Sequence, residues 1–551
     1  MKTLIRYIFG SVLTLFLASI LLEAKGIEVD IKNRSLVNDA AHIPSQCYTK
    51  TKTDDGKIHN PCFNCHISSK EPNYMNDWNL QTAYSFPEYA LKNHWMNLFK
   101  DRSKEISRID DREILAYVKE SNYFDTKGRL QLAQKLRNLP KKWDIDGDGV
   151  WDGYIPDCYF DFDDEGFDKD PKGAYTGWRA FGYTPFLGTF WPTNGSTDDV
   201  LIRLPAAFRM NSEGLFDLET YKVNLLIVET LIKQKSLQTD TINEKQFGVD
   251  LNKDGKISTA HEIAFSYNPS KGKNMSYVGL AKKKGYKIAA GLYPRGTEFL
   301  HTVRYIDIEK NTAKMAPRMK ELRYAKKVNW STYMQHQEVL EEELKERHDF
   351  PDRLEQFIGD AERGISNKRG WRYQGFIEDE TGALRPQSYE ENLFCIGCHS
   401  NLGAVVDSTF AYQRKLEHGT FQNGWFHWSQ KGFKNMKEPK TPDGRYEYSL
   451  YLKENGAGDE FRANDEVRQR FFDQNGSVKK SEVNTLHQDI SHLLLPSEKR
   501  ALELNKAYKV IVDEQSFIYG RDATSKPMDT VYKKIKEEQG TGIKYPIRYD
   551  K

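Results

Sequence analysis

The sequence predicts a mainly α-helical fold with long irregular loops and minor β structure. Two regions, each carrying the same short cysteine motif, flank a central loop-rich α+β region. Three observations lead there. Apolar residues recur at helical spacing only in short stretches. Those stretches are separated by tracts rich in Pro, Gly, Asn, Asp, Ser and Thr. The pattern C-x-x-C-H occurs once near each end of the chain. The 551 residues are enough for several domains and substantial cores. With 29% charged residues and a formal charge of +2 the protein is polar and nearly neutral. That balance speaks against nucleic acid or an anionic membrane surface as a partner.

In chain order, residues 1–24 read as a signal peptide. Lys2 and Arg6 form a basic start, Tyr7 to Leu22 an apolar run, and Ala24 a cleavage point. The run is shorter than the ~20 apolar residues a spanning helix needs, so cleavage is favoured over an uncleaved anchor. No cysteine follows closely, so a lipid anchor is not expected. The mature chain is expected in the periplasm of a Gram-negative bacterium, with no membrane span.

Residues 25–140 form the first motif region. Ala41 to His66 is loop-like; after Pro87 a helix is expected with Leu91, Trp95, Leu98 and Phe99 on one face. Another is expected from Asp111 to Glu120. Residues 141–330 form the central region. Its aromatic, turn-rich tract from Tyr175 to Asp199 leads to a strand from Val200 to Leu204. An amphipathic helix follows, marked by Leu218, Tyr221, Leu225, Val228 and Ile232. Residues 331–360 read as a charged helical connector. Residues 361–551 form the second motif region, with a helix after Pro496 and a polar, loose tail beyond Lys533.

The two motifs are Cys62-Phe63-Asn64-Cys65-His66 and Cys395-Ile396-Gly397-Cys398-His399. Two thiols at this spacing add across the vinyl groups of a haem, and the next histidine supplies an axial nitrogen. The alternatives for C-x-x-C, a zinc knuckle or a redox dithiol, leave the repeated histidine unexplained. Two covalently bound haem c groups are therefore expected, with His66 and His399 as proximal ligands. His301, set among apolar residues with Arg304 nearby to meet a propionate, and His427, set between aromatics, are candidates for the distal positions.

Two acidic loops carry oxygen side chains at calcium-loop spacing, with glycine at the sixth place. They are Asp144, Asp146, Asp148 and Asp152, and then Asp250, Asn252 and Asp254. Both lack the usual glutamate at the twelfth place. Ca2+ is a candidate structural ion at each, a solvated acidic turn the alternative. Cys47 and Cys158 are left over, as a disulfide or as two separate thiols.

With its two C-x-x-C-H motifs and its export signal the chain resembles the diheme c-type cytochromes. The resemblance covers the two pentapeptides and the exported context. It implies electron transfer, or haem-based redox chemistry, with a redox partner protein or a small-molecule substrate. The alternative is a haem-dependent oxidoreductase similar in layout to diheme peroxidases or oxygenases, with one open iron. The long interval between His66 and His399 departs from the peroxidase pattern. Distal ligands, substrate and oligomeric state stay open.

Overall fold

The computed structural model describes residues 28–52, 58–59, 85–188, 190–268, 275–400, 406–441, 443–455 and 464–537. Its centre is a ten-stranded antiparallel sheet, so the fold is not mainly helical. The strands are β1 (Phe167–Lys169), β2 (Tyr175–Ala180), β3 (Thr197–Asp198), β4 (Leu201–Arg203), β5 (Glu298–Glu309), β6 (Thr312–Lys327), β7 (Gly359–Asp360), β8 (Gly364–Ser366), β9 (Trp371–Glu378) and β10 (Leu384–Pro386). They run in the order β7-β8-β9-β6-β5-β4-β2-β1, with β10 beside β9 and β3 beside β5.

The long central strands hide from a search for apolar alternation because they bury charge. Arg318, Lys320 and Glu321 of β6 are all buried. Each is compensated, as buried charge must be: Arg318 by Glu378 at 2.7 Å, Glu321 by Arg323 at 2.9 Å, and Lys320 by the Gly195 carbonyl at 2.6 Å. Pro317 has no N–H for the ladder, and the β5–β6 register shifts around it. Neighbouring residues of β5 enter opposite cores: Phe299 packs with Trp371, Tyr373 and Tyr389, and Leu300 with Leu322, Phe376 and Trp178.

Five helices matter here: α1 (Asp111–Lys119), α2 (Leu218–Lys233), α3 (Tyr333–Asp349), α4 (Tyr389–His399) and α5 (Glu498–Glu514). Asp110, Asp217, Thr332, Ser388 and Ser497 cap them by accepting a first-turn N–H. The helix expected after Pro87 is instead two short 3-10 turns, Glu88–Ala90 and Met96–Phe99. Asn93 accepts the Trp95 N–H at 2.9 Å, and Lys92 bridges to Lys534, which interrupts the helical path. The same contact buries Ile535, while most of the tail expected to be loose, beyond residue 537, lies outside the described residues. Among the described residues no helix is long and apolar enough to cross a membrane.

Candidate cofactor site

Helix α4 delivers the second motif. Ser388 and Glu391 form a reciprocal capping box, and Arg385 grips both oxygens of Glu391 at 2.8 Å. The helix start is thereby fixed, and Cys395 and Cys398, three residues apart, fall on one face of its last turns. Gly397 meets a neighbour closely: a Cβ there would stand 2.4 Å from the His42 carbonyl oxygen. Cys395 is buried and Cys398 half-buried. Burial pushes the Cys398 thiol up to about 11, and Cys395 moves the same way. Both are neutral thiols, unlike the acidic thiol of a redox dithiol.

His399 closes the helix. Its Nδ1 lies 2.7 Å from the Ser408 carbonyl oxygen, which can only accept. Nδ1 therefore carries the proton and Nε2 keeps its lone pair. The ring stacks on Tyr373 at 4.9 Å and meets the edge of Phe410 at 5.6 Å. Burial holds the imidazole down to about 4, so it is neutral. The turn that presents Ser408 is held firmly. Asp407 and Ser408 are both left-handed, and the buried Asp407 carboxylate receives Lys327, the Trp371 indole N–H at 3.3 Å and the Tyr293 N–H at 2.8 Å. The Tyr373 hydroxyl donates to the same Ser408 carbonyl at 3.0 Å.

His301, on β5, pairs across the ladder with Arg323 of β6. Its Nε2 is buried and has no hydrogen-bond partner among the described residues; the nearest carboxylate, Asp198, is 3.8 Å away. Burial first, then the Arg323 charge, lowers it to about 3. Arg323 also acts on Cys395, Cys398 and His399, and His399 acts on His301, which places these groups in one neighbourhood. The cation beside His301 is thus Arg323, not Arg304. Arg304 turns to Thr302 at 2.9 Å and to the Pro317 carbonyl at 2.8 Å. Asp198, hydrogen-bonded by the Tyr183 hydroxyl, is pushed up by burial to about 8.

His427 has no nitrogen to spare. Nε2 bonds Asp199 at 2.8 Å, Nδ1 bonds the Ser429 hydroxyl at 2.7 Å, and the ring stacks on Phe162 at 4.8 Å. It is a satisfied core histidine rather than a distal ligand. Cys62, Cys65 and His66 lie outside the described residues. Cys158 is a buried free thiol, so the Cys47–Cys158 bridge is not formed.

Carboxylate oxygens of Asp144, Asp146 and Asp148 gather within 4.8 Å of one another, the one such group among the described residues. Glu362 closes the loop by accepting the Ile145 N–H at 3.2 Å and the Asp152 N–H at 3.0 Å. Arg363 contacts Asp146 and Asp152, so Asp152 faces a cation of the protein's own. In the second loop Asp250 accepts the Gly255 N–H at 3.1 Å and Asn252 accepts the Asp254 N–H at 3.1 Å. Cys395, Cys398, His399 and His301 form no such close group among the described residues.

Arg323, Asp198, Asp407 and Ser408 went unnoticed in the sequence. None sits in a motif, and only the β5–β6 register and the 406–409 turn bring them to the site.

Comparison with known proteins decides the family. A protein-family model described as "-like lipoprotein" matches residues 31–490. The chain belongs to this lipoprotein family. A protein of Aquifex aeolicus named "Uncharacterized lipoprotein" is 31% identical over 556 residues, covering 90% of this chain and 88% of its own length. No solved structure matches. Membership overturns the resemblance to diheme c-type cytochromes. With it go the electron-transfer function, the peroxidase-like and oxygenase-like alternatives, and the oxidoreductase label. It makes the chain an exported protein of the bacterial cell envelope. The family's name carries a lipid anchor, against the expectation from the N-terminus; residues 1–27 lie outside the described residues.

Proposed function

We propose that this lipoprotein is a cofactor-binding protein of the cell envelope, acting on the periplasmic side, in which Cys395 and Cys398 attach a haem covalently and His399 ligates its iron. The observation that carries this reading is the His399 tautomer. A histidine that donates Nδ1–H to a fixed carbonyl and holds Nε2 open is arranged as a metal ligand. The two thiols on the preceding turn supply the attachment. His301, whose Nε2 is buried and without a partner among the described residues, would be a second candidate ligand, and Arg323, held by Glu321, would be the cation nearest these groups. The first motif, Cys62, Cys65 and His66, holds a second haem by the same chemistry. Asp144, Asp146 and Asp148 are the ligands for a structural Ca2+, with Arg363 yielding to the ion.

The test uses the full chain, expressed in a host that attaches c-type haem. Covalent haem is counted by its alkaline pyridine spectrum after denaturation. Two equivalents are expected for the wild type and one for Cys395→Ala/Cys398→Ala, with the Cys62→Ala/Cys65→Ala variant as the matching control. No covalent haem in the wild type, or an unchanged count in the Cys395/Cys398 variant, would contradict the reading.

A further inference from the structure

Beneath α3, three buried nitrogens lack partners among the described residues. His336 stands in the first turn of α3 and is only 3% exposed; Arg369 is 6% exposed. Nε2 of His336, Nη1 of Arg369 and the indole Nε1 of Trp330 are buried with no hydrogen-bond partner among the described residues. The Arg369 and Trp330 nitrogens can only donate and His336 Nε2 donates in one of its tautomers, so the three together call for an acceptor.

They share one region. Arg369 sits in the tight loop from Ser366 to Trp371, where Lys368 and Gly370 are left-handed. The Gly370 carbonyl accepts the N–H groups of Val328 and Asn329 at 2.9 and 3.1 Å, which brings the loop against the stretch leading into Trp330 and α3. The other arm of Arg369 holds Glu343 on α3. His336 feels the charges of Lys327 and Arg369, after burial, and is held neutral at about 4. Lys368 and Arg347 likewise bear on His42. The groups turned to this region are thus Lys327, Arg347, Lys368, Arg369 and the two histidines, against Glu343 and Glu355. Lys327 is committed to Asp407, Lys368 lies 3.5 Å from Glu355, and Arg369 has given one arm to Glu343, which leaves its Nη1 without a partner among the described residues.

We infer that the space between α3 and the 366–371 loop is an oxyanion-binding site, in which Arg369, His336 and Trp330 donate to one carboxylate or phosphate group. Arg suits this role because its guanidinium can hold Glu343 through one nitrogen and still offer the N–H groups of Nη1 to an anion. The anion has two possible sources, a free small anion or a carboxylate arm of a bound cofactor. The second is within the geometry, because Asn367 of the same loop donates to the His399 carbonyl at 2.7 Å. The site itself stands on its own donors and does not depend on haem attachment.

The probe is inorganic phosphate, titrated calorimetrically into the full-length protein, prepared both with and without covalent cofactor. Saturable binding to both preparations, weakened at least tenfold in Arg369→Gln and in His336→Phe, identifies a site for a free anion. Binding only to the cofactor-free preparation, with the same loss in the variants, identifies the cofactor's own carboxylate as the occupant. Arg369→Lys, which keeps the charge but loses the fork, is expected to recover part of the affinity. Its near-ultraviolet circular dichroism reports whether the loop is intact. No saturable phosphate binding in either preparation, or binding that the Arg369 and His336 variants leave unchanged, would overturn the site.

Discussion

At the scale of single residues, buried charge pairs hold the turns that shape the site. Asp407 and Lys327 are both fully buried and face each other. Removing one partner of such a pair leaves an uncompensated charge, at a cost of about 3 to 5 kcal/mol. Asp407→Ala is therefore expected to lose that much stability in urea unfolding, whereas the double variant Asp407→Leu/Lys327→Met recovers most of it. A small, equal loss in both would mean the pair contributes nothing. Asp198 gives a pH signature. Its folded value of about 8 lies above the ordinary carboxylate value of 3.8, so the folded state holds a proton that the unfolded state releases. Stability then falls as pH rises from about 4 to about 8, because the native state binds more protons across that window. In Asp198→Asn this part of the fall should vanish from a series of thermal midpoints. A variant whose pH profile overlays the wild type would contradict a protonated Asp198.

At the scale of elements, helix α4 fits its place through Gly397. Adding a methyl group there drives it into the His42 carbonyl oxygen at 2.4 Å and the Pro44 ring. Gly397→Ala is expected to cost about 1 to 3 kcal/mol as overpacking, read as a lowered unfolding midpoint. An unshifted midpoint would mean that the 42–44 segment yields freely. Local signals made the helices legible. The run Leu218–Ile232 is helix α2, and Ser497 after Pro496 caps α5, because amphipathic spacing and caps are written in neighbouring residues. The sheet was not legible for the opposite reason. In β6 the apolar Met315, Met319 and Leu322 follow no simple alternation, and the charged Arg318, Lys320 and Glu321 stand between them. They are buried only because partners distant in sequence, such as Glu378 and Arg521, neutralise them. The same limit applied to the site. The cysteines and His399 were legible as a motif and His301 as a lone apolar-flanked histidine, but Ser408 and Arg323 come to it through tertiary register. His427 misled because aromatic neighbours look alike around a ligand and around a hydrogen-bonded core histidine.

At the scale of the whole molecule, an antiparallel sheet with cores on both faces carries α4 on one side and the acidic loop of Asp144 to Asp152 on the other. Glu362 and Arg363, between β7 and β8, tie that loop to the sheet edge. Membership of a lipoprotein family sets such a protein in the envelope. On the reading proposed above, thiols held neutral and a histidine held in one tautomer would serve a bound group rather than a disulfide. The measurement that tests this most directly is the mass of the peptide carrying Cys395 to His399, taken from wild-type protein recovered from the envelope of its cell. The account predicts a peptide heavier by one haem, with fragmentation placing the addition on both cysteines. An unmodified peptide with two alkylatable thiols would contradict it.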